Sequence, residues 1–157
     1  MLYRARRYDD AVTVLDRAIE MDPNHPMPYL PKGLASSMKG MPNEALAALR
    51  EGHALTPGSS EMVAQIAYAA ARGGRREEAR ARLKELQERS SRQHVSPFFL
   101  AVAHTGLGEP TQAIECLERA YAERDWLVSV LKTDPIFDPL RDDARFQELL
   151  RRIKFPA

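Results

Sequence analysis

Residues 26–57, PMPYLPKGLASSMKGMPNEALAALREGHALTP, decide how this chain is read, because most of the remaining sequence repeats them with variations. A shift of 34 residues brings Leu15, Leu49, Leu83 and Leu117 into one column and Ala11, Ala45, Ala79 and Ala113 into another. Gly40, Gly74 and Gly108 form a third column, and Gly33, Ala67 and Ala101 a fourth in which every residue is small. Ala18, Gly52, Leu86 and Ala120 form a fifth. Self-similarity at this period is the mark of an array of helical repeats.

The columns make mechanical sense. Small residues at Gly33, Ala67 and Ala101 on one helix, and at Ala45, Ala79 and Ala113 on the next, let two antiparallel helices approach closely, with the leucines as larger knobs between them. Gly40, Gly74 and Gly108 fall where the first helix of each pair must stop, since glycine takes the left-handed backbone without steric penalty. Pro42 and Pro110 follow two residues later, where a missing N–H is tolerated at the start of the second helix. Pro23 and Pro57 close whole units.

On these residues the chain resembles the tetratricopeptide repeat (TPR) family. Its pattern runs aromatic, Leu-Gly, aromatic, then Ala, an apolar residue, Ala and a closing Pro. The second unit matches it at Tyr29, Gly33, Ala45, Leu49 and Pro57, with Lys32 and Ser36 departing from it. The first unit keeps Tyr8, Ala11, Leu15, Ala18 and Pro23. The third keeps Ile66, Ala67, Gly74, Ala79 and Leu83, and the fourth Leu100, Ala101, Gly108, Ala113, Leu117 and Ala120; Ser91 and Asp125 replace their closing prolines. The resemblance implies an all-α fold, a right-handed superhelix of antiparallel helix pairs over residues 1–125, with units near 26–59, 60–93 and 94–125 behind an incomplete first one. Residues 126–157 are expected to form a helical cap outside the repeat.

Composition narrows the function classes. With 23 basic and 22 acidic side chains the net charge is +1, so no long-range field recruits nucleic acid or an anionic membrane. One cysteine, Cys116, cannot form an internal disulfide, which fits a reducing compartment. No apolar run approaches the roughly 20 residues needed to span a bilayer, and the N-terminal MLYRARRYDD lacks the apolar centre of a signal peptide. A cytoplasmic location is the expectation.

Helices are predicted over 8–21, 27–39, 43–55, 60–72, 75–92, 97–105 and 111–123, with Ser59 or Ser60, and Ser96, at starting positions. Residues 1–6 read as the tail of a helix whose front half the repeat grid places upstream of residue 1, so the apolar side of the next helix, Val12, Leu15, Ala18 and Ile19, is expected to be under-covered. In helix 75–92, Glu78, Glu85 and Glu88 each precede an arginine by four residues, the pattern of a solvated ion-paired face. After Asp125 the period fails. A short apolar helix at 126–132, a loop stiffened by Pro135 and Pro139, and a helix over 142–153 are predicted, the last with Phe146, Leu149, Leu150 and Ile153 on one side. The end of a repeat array needs such a cover. LKTDPIFDPLRDDARFQELLRRI also resembles the ending of TPR arrays in bacterial signalling proteins, including winged-helix regulators and nucleotide cyclases.

Nothing in the residues supports catalysis or a cofactor. His25, His53, His94 and His104 lack a second ligand at helical spacing, and no carboxylate-histidine pair recurs across the units. Gly73-Gly74 lacks the Lys-Ser/Thr of a phosphate loop. Asp134, Asp138, Asp142 and Asp143 read as turn and capping residues beside two Asp-Pro steps. Cys116 reads as a small packed hydrophobe.

In the family, the leading helices line a concave surface that holds peptides or partner helices. Carried over by column, that surface here comprises Met27, Leu30, Leu34 and Met38, then Ala64, Tyr68 and Arg72, then Val95, Phe98 and Val102. Met and Phe suit an apolar peptide or amphipathic helix. The columns used by the branch that grips acidic chaperone tails hold Leu30, Pro31, Leu34, Ala64, Gln65, Tyr68 and Val102, with neither Asn nor Lys, so that mode is not expected. The reading is a non-enzymatic module that binds another protein, with self-association through the incomplete first unit, or service as the regulatory end of a larger signalling protein, as the alternatives.

Overall fold

The structure, a computed structural model, describes residues 2–153. Seven α-helices follow in sequence: α1 (Tyr8–Met21), α2 (Tyr29–Met38), α3 (Pro42–Leu55), α4 (Ser60–Arg72), α5 (Arg76–Ser90), α6 (Pro97–Leu107) and α7 (Pro110–Ala122). Two short 3-10 helices, η1 (Trp126–Val130) and η2 (Pro135–Leu140), lead to α8 (Ala144–Arg152). Each of helices α1 to α7 packs on its sequence neighbours, and the leading helices α2, α4 and α6 also pack side by side, α4 on α6 more closely than α2 on α4. Pairs of adjacent helices therefore build the array that the 34-residue period predicts.

Local chemistry sets the boundaries. Ser59 Oγ accepts from the Met62 amide and Ser96 Oγ from the Phe98 amide, capping α4 and α6. Pro42, Pro97 and Pro110 stand in the first turns of α3, α6 and α7. Helix α2 starts two residues later than predicted, at Tyr29, behind Pro28. Helix α5 stops at Ser90 rather than Arg92.

The leading helices end in one recurring motif. Gly40, Gly74 and Gly108 have φ of 74°, 78° and 74°. The amide beyond each bonds back five residues: Met41 to Ser36 O (3.0 Å), Arg75 to Ala70 O (2.8 Å) and Glu109 to His104 O (3.0 Å). Residues 2–7 make the same turn, with Arg7 N bonded to Leu2 O at 3.0 Å and Arg6 at φ 59° in the glycine column. Residues 2–6 thus have the geometry of a helix end, as the repeat grid predicts.

The repeat columns supply the core. Leu49, Leu83 and Leu117 are buried, as are Ala45, Ala79 and Ala113. A Cβ on Gly33 would overlap the Leu49 side chain, so α2 and α3 approach closely through the small residue of that column. At the N-terminal end Leu15 and Ala18 stay half-buried, whereas Leu117 and Ala120, at the other end, are fully buried.

The ion-pair reading of α5 needs correction. Glu85 does hold Arg89, at 2.6 Å, but Glu78 reaches across to Arg50 of α3 at 2.6 Å. Arg82 turns to Glu85 at 2.8 Å, and Glu88 lies 3.8 Å from Lys84. Glu78 is drawn off its own helix by a guanidinium on α3, an interaction that lies outside any local helical pattern. The face remains charged and solvated.

The tail also differs from its prediction. Residues 126–130 form a 3-10 helix, and the expected proline loop is itself helical. Asp134 accepts from the Ile136 amide and Pro135 occupies the first turn, so a cap and a fixed φ start the 3-10 turn locally. Asp143 caps α8 through the Arg145 amide. Asp138, read as a turn residue, instead pairs with Arg6 and Arg141. Ile136, Phe137, Leu140, Phe146 and Leu149 are all fully buried, so the tail is part of the core.

Candidate protein-binding groove

The columns expected to line a concave surface fall on or beside the leading helices at the repeat spacing: Met27 with Glu61 and Val95, Leu30 with Ala64 and Phe98, Leu34 with Tyr68 and Val102, Met38 with Arg72 and Gly106. Positions four apart on a helix share a side, so Leu30, Leu34 and Met38 form a strip along α2. A Cβ on Gly106 would come within 2.7 Å of Tyr68 Cα, a measure of how closely α4 and α6 approach.

The columns do not share one environment. On α2, Leu30, Leu34 and Met38 are half-buried, and Met27, in the turn before the helix, is 71% exposed. On α4, Ala64 and Tyr68 are buried and Arg72 is exposed. Beside and on α6, Val95, Phe98 and Val102 are buried, Phe98 to 5% exposure. Of the ten expected groove residues, five are therefore inaccessible in this conformation. Two effects bury them: α4 packs closely on α6, and the tail lies over α6.

The covering contacts are specific. The Phe137 ring of η2 meets Phe98 edge-on at 5.2 Å between centroids and lies 6.5 Å from Phe146. At the start of η2 the Tyr3 hydroxyl donates to Asp134 Oδ1 at 2.9 Å. One turn on, Arg6 holds Asp138 at 2.8 Å, and Arg141 holds the same carboxylate at 2.7 Å. The helix-end turn at residues 2–7 and the tail, some 130 positions apart in sequence, thus meet across the array.

This contact has an electrostatic signature. Burial raises the Asp134 carboxyl above its ordinary value of 3.8, against the opposing pull of its hydrogen bonds from Ile136 and Tyr3. Burial likewise lifts the Tyr3 phenol, and the Asp134 charge adds to it. Glu61 and Tyr68 are raised by burial too, each with a further push from Asp134. Asp134 therefore sits within electrostatic reach of α4 as well as of the N-terminal turn.

Elsewhere the polar groups have structural occupations. His104 Nδ1 lies 2.7 Å from Glu109 Oε2, and Arg80 pairs with that same glutamate. Burial raises the Cys116 thiol, which disfavours the thiolate a nucleophile needs. His53 carries a buried Nδ1 with no hydrogen-bond partner among the described residues, and burial, then Arg82, lowers its pKa.

A family model described as tetratricopeptide repeat matches residues 4–131. The chain belongs to the tetratricopeptide repeat family. No curated protein matches it. TPR arrays generally mediate protein–protein interaction, and that coarse role extends to this chain. No described helix is long and apolar enough to cross a membrane.

Sequence reasoning missed the Tyr3–Asp134 and Arg6–Asp138 contacts of this TPR array. Two signals were present. Tyr3 stands in a column otherwise filled by the smaller Ser37, Ala71 and Thr105, and Arg6 stands in the glycine column. A bulky phenol and a guanidinium in columns of small residues are out of place unless they meet something outside the repeat.

Proposed function

We propose that this TPR array is a non-enzymatic binding module of the cytoplasm that takes an apolar peptide or amphipathic helix of another protein on its concave side, entering along α2. The observation that carries the reading is the state of the α2 strip. Leu30, Leu34 and Met38 pack partly on the core and keep an accessible edge, Met27 projects beside them, and Arg72 lies exposed at the end of α4. An apolar strip of this length suits one side of a short helix, with adaptable Met side chains at both ends and a cation for a carboxylate on the partner.

The test places a photo-crosslinking residue at Leu34 or, as a control, at the exposed Ala47 of α3. Saturable labelling of a partner from position 34, lost in Leu30→Asp with helical circular dichroism unchanged, is the expected result. Equal labelling from position 47, or labelling that survives Leu30→Asp, overturns the reading.

One observation favours a second reading, self-association through the N-terminal unit. The α1 side chains Leu15 and Ala18 are half-covered where their column mates are buried, and Val14 is exposed. Light scattering separates the two readings: a dimer lost on Val12→Asp supports self-association, and a monomer at high concentration removes it.

A further inference from the structure

We propose that residues 134–140 are a resident ligand of the concave groove, and that over α6 the groove accepts a foreign segment of the same chemistry. That segment carries a carboxylate followed by proline, an aliphatic residue and phenylalanine, with a second carboxylate four positions after the first. This deepens the concave-side reading above and rests on it, since it names the partner class for the part of the groove that the tail covers.

Three features separate this segment from ordinary core. It lies on the concave columns of α6, where Phe137 meets Phe98 at 5.2 Å. Its shape is made locally: the Asp134 cap and the fixed φ of Pro135 and Pro139 preset the turn before any docking, which reduces the ordering cost of a bound peptide. Its two carboxylates are read by a distant part of the chain, Asp134 by the Tyr3 hydroxyl at 2.9 Å and Asp138 by the Arg6 guanidinium at 2.8 Å. The groove thus offers an aromatic edge, a neutral donor and a cation at fixed spacing, which is a recognition pattern for a short acidic, proline-fixed, aromatic segment. Any chain with that spacing can make the same contacts.

The resident copy holds the site by tethering. A segment joined to its site through a short linker has an effective concentration on the order of millimolar, so an identical free peptide competes only near that concentration. Removing the two carboxylates from the resident copy alone lowers that threshold and leaves the donor, the cation and the aromatic edge of the groove for the free peptide.

The experiment titrates a fluorescent peptide, Thr-Asp-Pro-Ile-Phe-Asp-Pro-Leu-Arg, into the full chain and into the double variant Asp134→Ala/Asp138→Ala, which alters the resident copy and leaves Tyr3 and Arg6 for the peptide, reading anisotropy. The double variant is expected to bind about tenfold more tightly than the parent, the effect of losing one buried hydrogen bond and one partly exposed ion pair from the competing segment. A peptide with alanine for its phenylalanine should not bind. Hydrogen exchange of amides 137, 138, 140 and 141 should quicken in the double variant while α4 and α6 keep their protection. Absence of binding to either protein, equal binding to both, or exchange of those amides only on global unfolding overturns the proposal. A double variant that dimerises instead makes a second copy the occupant and overturns the assignment to a foreign segment. Crosslinking from Leu34 reports on α2, which η2 does not contact closely, so if it persists while the peptide fails, this inference falls and the concave-side reading stands.

Discussion

Helices α2 and α6 carry the same repeat columns in opposite states. Leu30 and Leu34 keep an accessible edge, whereas Phe98 and Val102, 68 residues on in the same columns, are buried. The repeat specifies that these positions are apolar, and the aperiodic tail decides which of them meets solvent. A second pair of positions says the same of the outer layer: Leu15 is half-buried, and Leu117 is sealed in. Each end of an array must be closed by something outside the period.

The largest break in this comparison is Phe137→Ala. The ring is fully buried against Phe98 and Phe146, and its loss should cost about 3–5 kcal/mol, read by urea denaturation, whereas Leu30→Ala at the open end should cost less than half as much. Within the leucine column, Leu117→Ala should cost about 2–5 kcal/mol and Leu15→Ala less, because part of the latter's surface already meets solvent. Gly33→Ala forces a methyl group into Leu49 and should destabilise by about 1–3 kcal/mol, confirming that the α2–α3 approach is set by the small residue.

Smaller effects sharpen the comparison at its polar contacts. Arg124 ends α7 at φ 57°, so Arg124→Gly should raise thermal stability, by at most about 1 kcal/mol. Asp134 gives the sign of a pH effect. Its folded carboxyl is raised above 3.8 by burial, so its share of stability is full below that value and is lost as the pH rises through the raised one. Asp134→Asn cannot ionise and keeps an acceptor for Tyr3, so denaturation at pH 4 and pH 7 should show a smaller fall for the variant than for the parent.

The helical array was legible because a column repeated at the same spacing is evidence at every recurrence. Ala11, Ala45, Ala79 and Ala113 mark one helix side four times over, and Gly40, Gly74 and Gly108 mark its neighbours' ends. The tail appears once. Its amphipathic α8 could be read from Phe146 and Leu149, but nothing in DPIFDP announces that Phe137 lies on α6 or that Asp134 meets Tyr3. Those contacts depend on how far the array curves, a sum of small rotations that no single residue encodes. The candidate groove was accordingly legible as a set of columns and illegible as a surface: Leu30, Leu34, Met38, Met27 and Arg72 are reachable, whereas Ala64, Tyr68, Val95, Phe98 and Val102 are interior.

The bond from Tyr3 to Asp134 joins positions 131 residues apart. In a linear stack, a unit unfolds at the expense of its immediate neighbours alone, and the chain can melt from one end. Here the first turn and the last segment share a contact, so fraying at either terminus removes support from the other. Once residues 134–140 have lifted from α6, the remaining array is expected to unfold as one cooperative body, and the whole chain to fold more slowly than a stack held by local contacts alone, because its closing step must bring the two ends of the chain together.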